Sequence, residues 1–185
     1  GQLEKDTQKA MNYYRKAIEQ GYEEAREWME QLQKNLVDET ITDIEIPQDK
    51  SDEELYKDAK NALEKAQFKT AYAYFSYLTQ RNHAESFNEL GDMYFYGRGM
   101  AINQAKALEL YKKAAALDSV YGFFNVGFLY WNGPEEIQDP EQALQYLKKA
   151  AQMGYTYALS FIGDIYRTGP EELIYYAEAK RYYQK

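Results

Sequence analysis

Four alanines, Ala71, Ala107, Ala143 and Ala179, stand 36 residues apart each time (107−71, 143−107, 179−143). The same step relates Gly91, Gly127 and Gly163, then Tyr94, Tyr130 and Tyr166, then Gly97, Gly133 and Gly169. Apolar positions keep time with them: Leu90, Val126 and Ile162, and Met93, Leu129 and Ile165. A period of roughly 20–50 residues carried by many positions at once confines a chain to stacked supersecondary units, each burying its neighbour's apolar side.

Each unit reads as two helices. The first contains Leu90-Gly91-x-x-Tyr94, Val126-Gly127-x-x-Tyr130 and Ile162-Gly163-x-x-Tyr166, whose i, i+3, i+4 spacing places these residues on one helical face. Glycine inside a helix costs about 1 kcal/mol relative to alanine. Its return at one phase in three units predicts a neighbouring helix too close for a Cβ. Gly97, Gly133 and Gly169 are expected to end these helices as C′ residues with positive φ. Asn103 and Asp139 are natural N-caps of the second helix, and Pro140 suits its first position. Ala107-Leu108-x-x-Tyr111-Lys112-Lys113-Ala114-Ala115 and Ala143-Leu144-x-Tyr146-Leu147-Lys148-Lys149-Ala150-Ala151 follow. Their alanines permit close contact while the larger side chains fill the seam.

Composition agrees with helix. There are only four prolines, and Ala, Glu, Lys, Leu and Gln abound. Twenty tyrosines supply large rings with one polar tip, suited to seams and to binding surfaces. A net charge of −8 disfavours nucleic acid, which is bound by neutralising phosphates, and disfavours acidic lipid surfaces likewise. The absence of cysteine removes disulfides, thiolate metal sites and thiol nucleophiles. No apolar run reaches the roughly 18 residues of a membrane span, so no membrane insertion is expected. No signal peptide is visible. Gly1 does not look like a native first residue, so the natural N-terminus could have carried one.

The run Gly97-x-Gly99-Met100-x-x-Asn103-x-x-Lys106-Ala107-x-x-x-Tyr111-x-Lys113-Ala114-Ala115 resembles a Sel1-like repeat, a relative of the tetratricopeptide repeat with longer internal loops. The resemblance covers residues 84–185. The later loops, Gly133-Pro134-Glu135-Glu136-Ile137 and Gly169-Pro170-Glu171-Glu172-Leu173, depart from it by lacking the second glycine. Residues 52–80 are closer to a tetratricopeptide unit, with Ala59, Ala62, Ala66, Phe68, Ala71 and Phe75 in step, a short turn near Gln67-Phe68 and a capping box at Ser51-x-x-Glu54. The implied fold is all-α, a right-handed α-solenoid of antiparallel helix pairs.

Three segments are expected: an irregular partial repeat over 1–36, a linker or long loop over 37–51, and the array over 52–185. In the first, Ala10, Tyr13, Tyr14, Lys16, Ala17, Gly21, Tyr22 and Ala25 correspond at an offset of 133 to Ala143, Tyr146, Leu147, Lys149, Ala150, Gly154, Tyr155 and Ala158. The match fades after Ala25, and residues 22–36 read as a helix outside the pattern. Residues 1–36 are free to pack on the array or on another chain. Both ends fall inside second-type helices, so the array is expected to continue beyond them.

The resemblance implies that first helices line a concave surface that binds a protein or peptide. Carried over by matching each glycine, its positions are Asn88, Asp92, Phe95 and Tyr96; then Phe124, Phe128, Trp131 and Asn132; then Ser160, Asp164, Arg167 and Thr168. Phe124, Phe128 and Trp131 form one stripe at i, i+4 and i+7, either a recognition surface or rings covered by the next helical layer. No cofactor, metal or catalytic residue is expected. His83, the sole histidine, has no metal-site partners in the sequence and reads as a solvated junction residue. Asp92 and Asp164 lie two repeats apart, roughly 20 Å at usual helix spacing, beyond the roughly 5–9.5 Å of a glycosidase pair. Glu135-Glu136 and Glu171-Glu172 read as solvated loop charge, and Gly97-Arg98-Gly99 lacks the lysine and strand of a phosphate loop. The sequence therefore points to an interaction scaffold and not an enzyme. Cell-envelope carbohydrate binding, and a regulatory region of a larger enzyme, are the alternatives.

Overall fold

The computed structural model describes residues 13, 14, 16–18, 20–26 and 44–184, and the regular elements among them are helical. The helices are α1 (Asp52–Glu64), α2 (Phe68–Gln80), α3 (Ala84–Tyr96), α4 (Gln104–Ala116), α5 (Val120–Asn132), α6 (Pro140–Gln152), α7 (Tyr157–Thr168) and α8 (Tyr176–Tyr183), with a short 3-10 turn at Glu171–Leu173. The segment expected over 27–36 and the linker over 37–43 lie outside the described residues. Residues 45–50 are non-helical.

Two compact units are present. One joins the described residues up to Arg81 with Asp92–Asn103; the other joins Asn82–Gly91 with residues 104–184. In the first unit α1 packs on α2. Ser51 opens α1 through the expected capping box: the Glu54 N–H donates to Ser51 Oγ at 3.3 Å while the Ser51 N–H donates to the Glu54 carboxylate at 2.9 Å. The bond from the Ser51 N–H, followed by one from the Ser51 hydroxyl at 2.8 Å, holds the Glu54 carboxyl below its ordinary range. Leu55, Ala59, Ala62, Ala71, Phe75 and Leu78 are buried. Residues 65–67 make the short turn, with Ala66 in the left-handed region at φ 56°.

In the second unit α4 packs on α5, α5 on α6, α6 on α7 and α7 on α8. Its core includes Ala143, Leu144, Leu147, Ala150, Ala158, Ile162 and Ile165. The glycines inside the first helices are explained by what lies over them. A Cβ on Gly91 would stand 2.5 Å from the Tyr111 ring, one on Gly127 2.7 Å from Leu147 Cγ, and one on Gly163 2.6 Å from the Tyr183 ring. Tyr111, Leu147 and Tyr183 are themselves 36 residues apart, so one close crossing recurs three times.

Turns repeat as faithfully. The Ser119 N–H donates to the Ala114 carbonyl across Asp118 (φ 58°), and the Tyr155 N–H donates to the Ala150 carbonyl across Gly154 (φ 95°). Both are helix stops in which a left-handed residue lets the chain return a hydrogen bond to the last turn. The Tyr22 N–H makes the same return bond to the Ala17 carbonyl, with Gly21 at φ 88°, at the offset of 133 read in the sequence.

The glycines that end the first helices are not all alike. Gly97 takes φ 68° as expected, but Gly133 and Gly169 have φ −73° and −71° with extended ψ. The cause is the following proline, Pro134 or Pro170, which drives its predecessor to extended backbone. Glycine is still required there, because a Cβ would lie 2.4 Å from the carbonyl oxygen of Leu129 or Ile165. His83 also differs from expectation. Its ring is half-buried, and its Nδ1 accepts the Ser86 N–H at 3.3 Å at the start of α3.

Candidate functional site

The loop between the helices of a repeat is closed by one recurring backbone bond. Asn103 donates its N–H to the Tyr94 carbonyl at 2.9 Å, Asp139 to Tyr130 at 2.8 Å and Tyr175 to Tyr166 at 2.9 Å. Asp139 also caps α6, its carboxylate accepting the Gln142 N–H at 3.0 Å, with Pro140 at the first position. Fixed loops of this kind set the phase of each first helix, and so decide which side chains it presents.

Cationic side chains then secure the rings. Lys112 lies 5.1 Å over the Tyr130 ring and Lys148 5.3 Å over Tyr166. The neighbouring lysines face the preceding helix, Lys113 6.0 Å from the Phe87 ring and Lys149 5.9 Å from Phe123. Each lysine pair thus straddles two first helices, with contacts worth about 0.5–1 kcal/mol apiece at exposed sites.

The stripe of the second unit is resolved in detail. Phe124 and Phe128 are half-buried, and Phe161 of α7 meets each of them at 5.5 Å between ring centroids, both times edge-on. Tyr155 leans on Phe124 at 4.8 Å and carries Tyr121 and the exposed Tyr157 on its other sides. Burial raises the Tyr155 phenol above its usual pKa. Trp131 is half-buried against the core, and Asn132 and Ser160 are exposed. The next helical layer therefore covers part of the stripe and leaves part of it open.

The polar candidates fall into two settings. Asp164 Oδ1 accepts the Tyr183 hydroxyl at 2.6 Å and an Arg167 N–H at 3.0 Å, and the Arg167 Nε–H donates to the Tyr183 oxygen at 3.3 Å. Burial, followed by the bond to Asp164, pushes the Tyr183 phenol upward. Asn88 is buried, and its side-chain oxygen accepts the Asn125 amide at 2.9 Å. In the first unit, taken by itself, Phe95 meets Tyr96 edge-on at 4.8 Å, Tyr96 is half exposed beneath Arg98 at 4.9 Å, and Asp92 is half-buried.

Residue-by-residue transfer missed Phe161, Tyr155 and Tyr183. The signal that finds Phe161 is lateral. Phe161 touches Phe124, and Asn125 touches Asn88, each across a separation of 37 residues (161−124, 125−88). Successive first helices are stitched by this diagonal pair, and the partner of Asn88 or of Phe124 can be read one repeat and one residue further on. Among the described residues no three His, Asp or Glu side chains converge as a metal site would require.

A Sel1 repeat family model matches residues 1–22, 84–119 and 124–155. The chain carries Sel1 repeats. The first match coincides with the N-terminal segment whose offset of 133 marks it as a displaced repeat. Among solved structures, a protective antigen of uropathogenic Escherichia coli that displays an SLR fold is similar at 25% identity and TM-score 0.63, covering 72% of this chain and 30% of its own. A Sel1 repeat protein from Oxalobacter formigenes is similar at 22% identity and TM-score 0.61, covering 72% of this chain and 57% of its own. The chain thus spans less than two thirds of either structure. No curated protein matches it. Sel1 repeats are generally protein–protein interaction modules, and the family is typically non-catalytic. None of the described helices is long and apolar enough to cross a membrane.

Proposed function

We propose that this Sel1-repeat chain is an adaptor, and that the α5–α7 face binds an extended segment or helix of a partner protein. Phe124, Phe128 and Trp131 supply the apolar contact, while Asn132, Ser160 and Arg167 supply rim hydrogen bonds. One observation carries the reading: Phe161 locks Phe124 and Phe128 edge-on while leaving them half open, so the rings are rigid before any partner arrives. A pre-ordered aromatic surface loses little side-chain entropy on binding, which is why such rings dominate interface energetics. Asp164 is held by Arg167 and Tyr183 and marks the polar end of the face.

A random peptide library selected on the intact chain tests the proposal. Selected peptides should protect α5 and α7 from hydrogen exchange. Phe128→Ala and Trp131→Ala should each weaken them at least about tenfold, in the range of interface anchors, with unchanged far-ultraviolet helicity. Retained affinity in both variants, or protection confined to other helices, refutes it. Loss of helicity in both would reassign the stripe to the core.

A further inference from the structure

Two successive repeats can be superimposed in sequence at the step of 36, and one cluster changes its chemistry between them. In the earlier repeat, Phe87 lies beside Lys106, Glu109, Leu110 and Lys113 in register; in the later one, Phe123, Gln142, Gln145, Tyr146 and Lys149 take those places. Glu109 is the centre of the earlier cluster. Its carboxylate accepts Lys113 at 3.0 Å, four residues on, and Lys106 at 3.4 Å. The hydrogen bond from Lys113, followed by that from Lys106, keeps its carboxyl below the usual range.

One repeat later the carboxylate is gone. Gln145 replaces it with a neutral amide and Gln142 replaces the flanking lysine, yet the second lysine and its aromatic platform are retained, Lys149 lying 5.9 Å from the Phe123 ring. No described carboxylate pairs with Lys149 as Glu109 pairs with Lys113. Tyr146 stands 6.1 Å from Phe123, and these five residues line a surface cleft of about 260 Å³. The cleft therefore holds one cation, two amides able to donate N–H, and two rings as apolar walls. What it lacks is the anion present in its twin.

We propose that this cleft binds a carboxylate of a peptide, in the seat that Glu109 occupies for itself one repeat earlier. Lys149 supplies the charge, Gln142 and Gln145 donate from their amides, and Phe123 and Tyr146 flank the carbon attached to the carboxylate. Neutral glutamines admit an anion that a glutamate would repel. The site shares no residue with the proposed α5–α7 contact set and does not rest on that reading.

Titration of the isotope-labelled intact chain by NMR tests this with three probes. N-acetylphenylalanine offers a terminal carboxylate, N-acetylglutamic acid α-amide a side-chain carboxylate, and N-acetylphenylalanine amide none. At least one acid should shift the side-chain amides of Gln142 and Gln145 with a Kd on the order of millimolar, as expected for one exposed ion pair assisted by hydrogen bonds. The tighter acid identifies the source of the carboxylate, and the neutral amide should bind at least about tenfold more weakly. Gln145→Glu, which offers Lys149 an internal partner at i+4, and Lys149→Gln should each weaken the acid at least about fivefold without moving the thermal midpoint. Equal binding of the neutral probe, unchanged affinity in both variants, or no shift at these amides up to about 20 mM of either acid overturns the proposal.

Discussion

The α1–α2 pair and the α5–α6 pair are built from helices of the same length, thirteen residues each, and yet they meet differently. Residues 65–67 turn α1 into α2 at once, with Ala66 forced left-handed and no side-chain cap on α2. Residues 133–139 take a longer path that a backbone bond from Asp139 to Tyr130 closes and the Asp139 carboxylate caps. At the crossing, α5 presents Gly127 beneath Leu147, whereas α1 presents Ala59, buried opposite α2. The short turn leaves a crossing with room for a methyl group. The long loop goes with one that has no such room.

Five substitutions would break or sharpen that contrast, and chemical denaturation of the intact chain reads all of them. Phe75, fully buried in the first pair, is its largest core side chain, and Phe75→Ala should cost about 3–5 kcal/mol. A loss under about 1 kcal/mol would show that the short-turn pair is not packed as a core. Next, Gly127→Ala should destabilise by about 1–3 kcal/mol through overpacking, although alanine is the better helix former by about 1 kcal/mol. Ala59→Gly should instead lose about 1–2 kcal/mol, the ordinary helix cost of glycine plus the burial of one methyl group. Should Gly127→Ala prove stabilising, the close crossing is not what selects the glycine. Smallest, Asp139→Ala should cost about 1 kcal/mol as a lost N-cap, while Gln67→Ala, at the uncapped start of α2, should stay within about 0.5 kcal/mol.

Much of this architecture was legible because repetition multiplies each signal. One glycine inside a helix is ambiguous, but Gly91, Gly127 and Gly163 at a single phase announce the large side chain lying over each. The capping box at Ser51 and the Asp139-Pro140 start were readable for a local reason, since every participating atom lies within a few residues. Gly133 and Gly169 depart from the left-handed helix stop because the proline after each drives it to extended backbone. The aromatic stripe was visible on α5, whereas its cover was not. Phe161 reaches Phe124 from another repeat, and helical periodicity speaks only about residues on the same helix. Tyr183 was hidden likewise, since its bond to Asp164 depends on how α8 lies against α7.

The diagonal stitch has a consequence for how such chains can be rearranged. Excising residues 120–155 would keep every backbone element in step, because exactly one period is lost, but it would set Phe161 against Asn88 in place of Asn125. An amide that now has an amide for company would face a hydrocarbon ring. The units are interchangeable as scaffolding and not as neighbours, so their order along the chain is written into the pairs that join them.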